Sequence, residues 1–377
     1  MSEFKLPPIS PLLGSNWSTF FGVLKGNRVH PKRYIKVAIT FLLLIVSSVF
    51  QWIDRLYFRR KLKKFVFKES PLFIIGHWRS GTTYLHNLLT QDPASGYLTT
   101  YHSVFPNNLQ SKLLFKTFMR IFMPRKRPGD NVKMSVNHPQ EDEYAMSNIT
   151  HRSFYHYFYF PSSYRQLYRD YIRFDSLSEI EKADWKSKYH QMVIKALINT
   201  NGSRAILKNP VNTGRMLTLL DIFPEANFIF IVRNPVVVYL STKKFYTLLF
   251  PTLNLEEFTV EDISNMVLEV YVDLLHDYLS DKKEVNSARL LEIRYETLVE
   301  NPIKEVEGIY GKFSLSDFQD LKPVLEEYID TLNGHKSDSY TIGQQELDRV
   351  VDHVGFAMKH WNYTLPDNLT IVDNQTP

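Results

Sequence analysis

The stretch from Pro71 to Thr90 does more than any other to limit what this chain can become. Leu72-Phe-Ile-Ile75 is an unbroken apolar run, the pattern of a strand buried on both faces of a parallel sheet. Gly76-His-Trp-Arg79-Ser80-Gly81-Thr82-Thr83 follows. Tyr84 to Thr90 then carries Leu85, Leu88 and Leu89 at helical spacing, with Pro93 just beyond. A strand, a glycine-bearing loop and a helix, in that order, present backbone N–H groups and the positive end of a helix dipole to a phosphate. Gly76 and Gly81 stand where GxxxxGK followed by Ser or Thr has its glycines, but Thr82 occupies the lysine position. A nucleotide kinase sets that lysine on the β- and γ-phosphates and the next hydroxyl on magnesium. Here the cation comes earlier, at Arg79, and hydroxyls follow it.

A second segment repeats the logic. Asn227 to Val232 is another buried-strand run, ending at Arg233-Asn-Pro235, with Ser241 eight residues past the arginine. Proline is well tolerated in a first helical turn. An arginine at a strand's carboxyl end and a serine about two helical turns later can converge on one dianion. A third segment, Leu290 to Ile293, reads as a short strand followed by Arg294-Tyr-Glu-Thr-Leu and Pro302.

Together these segments resemble the PAPS-dependent sulfotransferases, PAPS being 3′-phosphoadenosine-5′-phosphosulfate. GxxRSGTTxL over residues 76–85 is similar to that family's 5′-phosphosulfate loop, and Arg233-x-Pro with Ser241 to its 3′-phosphate motif. Arg294-Tyr-Glu-x-Leu and the closing Gly355–Tyr363 stretch match further, so the likeness runs from residue 71 to about 363. In detail it lies nearest the bacterial branch with an N-terminal extension. The resemblance implies an α/β, P-loop-like three-layer fold with a central parallel sheet flanked by helices. It implies PAPS as donor and adenosine 3′,5′-bisphosphate as product, held by Arg79, Ser80, Gly81, Thr82, Thr83, Arg233 and Ser241. Glu296 reads as a structural anchor, Arg294 as a cofactor neighbour or a surface ion pair, and Gly355–Tyr363 as packing.

Sulfuryl transfer resembles phosphoryl transfer, with charge spread over equatorial oxygens, but the group carries less charge and a metal clamp is dispensable. No metal site is expected. The chemistry needs a cation on the bridging oxygen, donors to the sulfonate, and a base for the acceptor proton. Arg79 is the expected cation, supported by Lys208 at the end of the strand Ala205–Leu207. Cytosolic members carry a histidine base just past such a lysine; this sequence has Asn209 and Pro210. The base is then expected in Glu141-Asp142-Glu143, on a helix starting near Pro139. Glu141 is the first choice, on a face shared with Ala145 and Asn148; Glu143 is second and His102 weaker. The bland alternative is an acidic helix start favoured by the dipole. Thr213 and Arg215 are candidate phosphate or acceptor contacts. The aromatic run His151–Tyr164 reads either as an acceptor wall for a lipid, sterol or sugar or as core.

Composition narrows the rest. Forty-five Lys and Arg against 40 Asp and Glu leave a net charge of +5, suited to a phosphorylated ligand or an anionic membrane but well short of a nucleic-acid footprint. With no cysteine there is neither a disulfide scaffold nor a thiolate site. Val37 to Ile53 runs 17 residues without a charge, about 25 Å as a helix. Thr40, Ser47 and Gln51 fall on one edge of it, extended by Arg33, Lys36 and Asp54. Five basic residues precede the run and six follow, so charge sets no orientation. The segment reads as an amphipathic helix at a membrane interface; a helix packed on the body and a true span are the alternatives. The expectation is an N-terminal extension over 1–68 and a catalytic domain over 69–377, cytoplasmic or peripheral on a membrane's inner face. Two rivals from other classes are a P-loop nucleotide kinase and a nucleotide-binding membrane adaptor; carbohydrate is the alternative acceptor.

Overall fold

The apolar runs do form a parallel sheet. A computed structural model of the chain describes residues 9–124, 134–315, 318–332 and 339–372. Its main sheet has β1 (Leu72–Ile75), β2 (Ser95–Gly96), β3 (Arg204–Lys208), β4 (Asn227–Val232) and β5 (Leu290–Arg294), in the order β2-β3-β1-β4-β5. All four pairings are parallel, with Phe73 beside Leu207 and Phe228, and Val232 beside Arg294. A second, two-stranded parallel pair joins β6 (Tyr340–Gly343) to β7 (Leu369–Val372).

Period-two alternation sends the strand side chains into two separate cores. Leu72, Ile74, Ile206, Ile229 and Ile231 pack against Leu85, Leu88 and Leu89 of the loop helix Thr82–Leu89. Phe73, Ile75, Leu207, Phe228 and Phe230 face the other way, onto the helices Glu179–Thr200, Pro235–Leu253 and Val260–Asp281. Helices on both faces make the three layers. Because β3, β1 and β4 are neighbours, the loops leaving their carboxyl ends open side by side, where ligands bind in such sheets. Trp361 of the closing segment stacks on Phe230, which is the packing role expected of it.

The N-terminal apolar segment forms one helix, Tyr34–Lys64, of 31 residues, about 46 Å long. Of the readings offered for it, the structure shows the helix packed on the body. The polar edge does not face water or lipid headgroups; it faces the protein. Lys36, Thr40, Ser47, Gln51 and Asp54 are all buried. Thr40 accepts from the Ser10 N–H at 2.9 Å, Ser47 donates to the Leu13 carbonyl at 3.0 Å, and Gln51 donates to the Ser15 carbonyl at 2.8 Å. The Asp54 carboxylate takes the N–H groups of Leu109 (2.8 Å) and Gln110 (2.7 Å). Lys36 reaches the carbonyls of Thr252 (2.6 Å) and Leu253 at the end of the helix Pro235–Leu253; burial, with Arg33 next, pulls its pKa down to about 8. The side chains on the opposite face, Leu42, Val46, Val49 and Trp52 among them, lie open. By length and composition the helix is long and apolar enough to cross a membrane, although 28% of its most apolar window is buried in the body.

Candidate active site

The loop after β1 needs its two glycines for space as well as for backbone freedom. Gly76 has φ 130° and Gly81 φ 100°, where side chains are disfavoured. A Cβ on Gly76 would stand 2.5 Å from the Ile231 carbonyl oxygen, and one on Gly81 would stand 2.3 Å from the Tyr295 ring. The Gly76 N–H is held by the Thr213 hydroxyl at 2.8 Å, so Thr213 braces the loop's entry. Ser80 turns its hydroxyl back onto the His77 carbonyl at 2.7 Å. His77 is wholly buried, and desolvation holds its pKa down at about 3. Gly81 then opens the helix Thr82–Leu89, whose first backbone N–H groups have no acceptor one turn earlier and point at the loop mouth. Gly81→Ala is expected to weaken adenosine 3′,5′-bisphosphate binding at least tenfold by titration calorimetry, since both the backbone angle and the Tyr295 contact must shift.

The second motif meets the first. Asn234 caps the helix Pro235–Leu253, accepting from the Val236 N–H at 3.1 Å, and this aims Ser241 back at the loop. Arg79 Nε donates to Ser241 Oγ at 3.0 Å, and Arg233 donates to the Arg79 carbonyl at 2.9 Å. Arg79 takes a left-handed backbone, φ 69°, and its guanidinium lies over the Phe245 ring; that of Arg233 lies 4.1 Å from the centre of Tyr295. Two guanidiniums, a serine hydroxyl and a helix N-terminus thus meet across the ends of β1 and β4. Glu296 is an anchor, accepting from the Tyr363 hydroxyl at 2.7 Å and from the Asn234 N–H. Arg294 donates to the Trp361 carbonyl at 2.9 Å and stacks on Tyr363, tying down the closing segment.

On the other side of the loop, Lys208 ends β3 and its ammonium lies 2.6 Å from Glu141 Oε1. Glu141 is not on a helix face with Ala145 and Asn148. The helix runs Asp142–Ile149, and Glu141 is its extended N-cap residue (φ −68°, ψ 136°), so its side chain swings towards the sheet edge. The Tyr155 hydroxyl donates to Glu141 Oε2, and Trp78 of the loop donates to that same hydroxyl at 3.1 Å. Glu141 is therefore wired to Lys208 on one side and, through Tyr155, to the phosphate loop on the other. Burial, then the Glu141 carboxylate, pushes the Tyr155 pKa well up.

The other base candidates do not reach the loop mouth. Glu143 is fully buried and accepts from the Ser153 hydroxyl, the Phe154 N–H, Asn209 and Arg215. Four donors, one of them its ion-pair partner Arg215, make it scaffold, and Arg215, lying over the Trp185 ring, is spent there too rather than on a phosphate. Asp142 takes the hydroxyl of Tyr189 and, at 3.0 Å, Asn212; burial lifts its pKa to about 7. His102 is wholly buried and held at about 3 by desolvation and by Lys195 and Lys112. Asn209, where a histidine base was absent, caps the turn Pro210–Gly214 and braces Glu143.

The aromatic run is core: Phe154 to Phe160 are all buried. Tyr155 alone within it has its hydroxyl on Glu141. Nothing in the spacing singled Tyr155 out, because it lies on a short 3₁₀ turn, Phe154–Phe158, without strand or α-helical periodicity. A small apolar space of about 10 Å³ sits between Trp78, Tyr157, Tyr246 and Met266, directly beside the loop. A larger polar cavity of about 340 Å³ lies behind the loop helix, between Thr90, Asp92, Tyr97 and Lys116; none of the predicted site residues lines it.

Three comparisons bear on this arrangement. The sequence profile of the sulfotransferase family matches residues 71–320. The chain is 30% identical over 354 residues to omega-hydroxy-beta-dihydromenaquinone-9 sulfotransferase Stf3 of Mycobacterium bovis and to that of Mycobacterium tuberculosis, covering 93% of this chain and 90% of each relative. Its fold is similar to that of sulfotransferase STF9 from Mycobacterium avium (TM-score 0.67, 16% identity, 91% of this chain and 89% of that one). It is also similar to that of sulfotransferase STF1 from Mycobacterium tuberculosis (TM-score 0.60, 16% identity, 89% of each).

Proposed function

The chain belongs to the sulfotransferase family, and from that premise we propose that it moves the sulfuryl group of PAPS onto the hydroxyl of a lipid alcohol. The observation that carries the reading is the meeting of two anion-binding loops with a lysine–glutamate pair at three adjacent strand ends. Arg233 and Ser241 suit the 3′-phosphate, and the loop Gly76–Thr83 suits the 5′-phosphosulfate. Gly81, packed where any Cβ would strike Tyr295, keeps the backbone N–H groups open to that substrate.

In the proposed step the acceptor oxygen attacks sulfur in line while the bond from sulfur to the bridging phosphate oxygen breaks. Adenosine 3′,5′-bisphosphate leaves with the electron pair, its developing charge met by Arg79 and Lys208. The acceptor's proton passes to Glu141, whose two oxygens Lys208 and Tyr155 hold in place. The step needs no metal. A lipid acceptor is favoured by the quinone-lipid acceptor in the Mycobacterium relatives' name. The reading assigns transfer to residues 69–377 and attachment at a membrane's inner face to 1–68.

Sulfur-labelled PAPS incubated with the protein and matched lipid and polysaccharide extracts tests this. Label is expected in the organic phase. Label in the polysaccharide would replace the acceptor. Thermal stabilisation by ATP with Mg²⁺, and none by adenosine 3′,5′-bisphosphate, would sink the donor assignment; at 100-fold excess over Kd a true ligand is worth about 2.7 kcal/mol.

A further inference from the structure

The helix Tyr34–Lys64 is turned inside out for a helix on a water-facing protein. Its polar side chains are consumed by the body, and its apolar ones point away from it. Ile35, Leu42, Val46, Val49, Trp52 and Leu56 are each more than half exposed, and at 100° per residue they occupy the side opposite Thr40, Ser47 and Gln51. Neighbouring elements widen the face. Trp17 and Phe21 are exposed and pack edge-on against Phe41 of this helix. Leu113, 88% exposed, and Phe122 belong to the helix Lys112–Phe122, which is anchored through a Phe50–Phe115 contact. A continuous apolar face on this scale marks an interaction surface.

We infer that this face docks on an anionic lipid bilayer, with the helix lying flat along the surface. Charge selects the occupant. Arg59, Arg60, Lys63 and Lys64 are exposed and continue the apolar side by about two more turns, while Lys25 and Arg28 stand exposed before the other end. Cations at both ends of an apolar strip match acidic headgroups around acyl chains. A second copy of the chain, placed either way along the helix, would set cations against cations. Crossing the bilayer is disfavoured, because the buried hydrogen bonds of Thr40, Ser47, Gln51 and Asp54 would have to break. The attachment is also stiffly linked to the donor site: Lys36 holds Thr252, near the end of the helix that carries Ser241, eleven residues or about 17 Å away.

Vesicle flotation of the full chain, without PAPS or acceptor, tests docking independently of the transfer reading. Binding to phosphatidylglycerol vesicles is expected, weaker to phosphatidylcholine and weaker in 0.5 M salt. Leu42→Glu/Val46→Glu/Val49→Glu should bind at least tenfold more weakly with its melting temperature unchanged, since these side chains are open. Arg59→Gln/Arg60→Gln/Lys63→Gln should lose the preference for the anionic lipid, at about fivefold per charge, and serves alone if the glutamate variant misfolds. Wild-type protein left in the unbound fraction, or bound equally by both variants, overturns the inference. So does concentration-dependent dimerisation that the glutamate variant abolishes, which would mean that a second copy covers the face.

Discussion

Glu141→Gln should lower the turnover number by about 10²- to 10⁴-fold, the range for removing a positioned general base, while leaving adenosine 3′,5′-bisphosphate affinity within about threefold. Glutamine keeps the shape and the acceptor oxygen that Lys208 meets at 2.6 Å, and its amide can donate to the Tyr155 hydroxyl. The geometry therefore survives while the capacity to take a proton is lost. Single-turnover measurement of the labelled product separates this from binding. Turnover within threefold of wild type would remove Glu141 from the mechanism and return it to the role of a charge that only holds Lys208. Tyr155→Phe, which removes the hydroxyl that links Trp78 to Glu141 Oε2 but leaves the carboxylate itself, is expected to act in the same direction but less strongly.

Arg215→Met should cost about 3–5 kcal/mol of stability, because it leaves the buried Glu143 side chain without its partner. At the size of this chain that corresponds to a fall in melting temperature of roughly 4–6 °C. The double variant Arg215→Met/Glu143→Gln should recover a large part of the loss, since the Ser153 hydroxyl and the Phe154 N–H, which share Oε1, still serve the glutamine oxygen. A calorimetric double-mutant cycle gives the coupling directly. If the single variant melts within 2 °C of wild type, the pair is not the brace argued here. The link to function is Asn209: it follows Lys208 in the chain and hydrogen-bonds Glu143, so loosening this network should also blur the position of Lys208.

The donor side was legible because each of its parts is local. A buried strand, a tight turn and a helix start lie within twenty residues, and residues so close in sequence can hardly fail to meet. The same is true of Arg233, Asn234 and Ser241, joined by one capped helix. The acceptor side is different. Glu141, Tyr155, Lys208 and Trp78 come from four separate segments. The helix-face argument for Glu141 among three successive acids did not hold, because the helix begins at Asp142, three residues past Pro139, and leaves Glu141 outside it as the N-cap. Glu143, equally acidic, is silenced by Arg215, 72 residues away, and no local pattern announces that pairing.

The N-terminal helix draws the same line more sharply. Its length, its apolar run and the single polar stripe through Thr40, Ser47 and Gln51 are properties of the sequence, because the helical repeat alone sets which side chains share a face. The direction in which that stripe points is not. It turns inward because Ser10, Leu13, Ser15, Leu109 and Gln110 bring backbone groups that need partners, and a buried polar group without a partner costs more than an exposed leucine. What the sequence determined by itself was the two phosphate loops and the parallel sheet beneath them. What only the tertiary structure decided was which acid meets Lys208 and which face of the helix is left for a membrane, since both depend on groups far apart in the chain competing for the same buried hydrogen bonds.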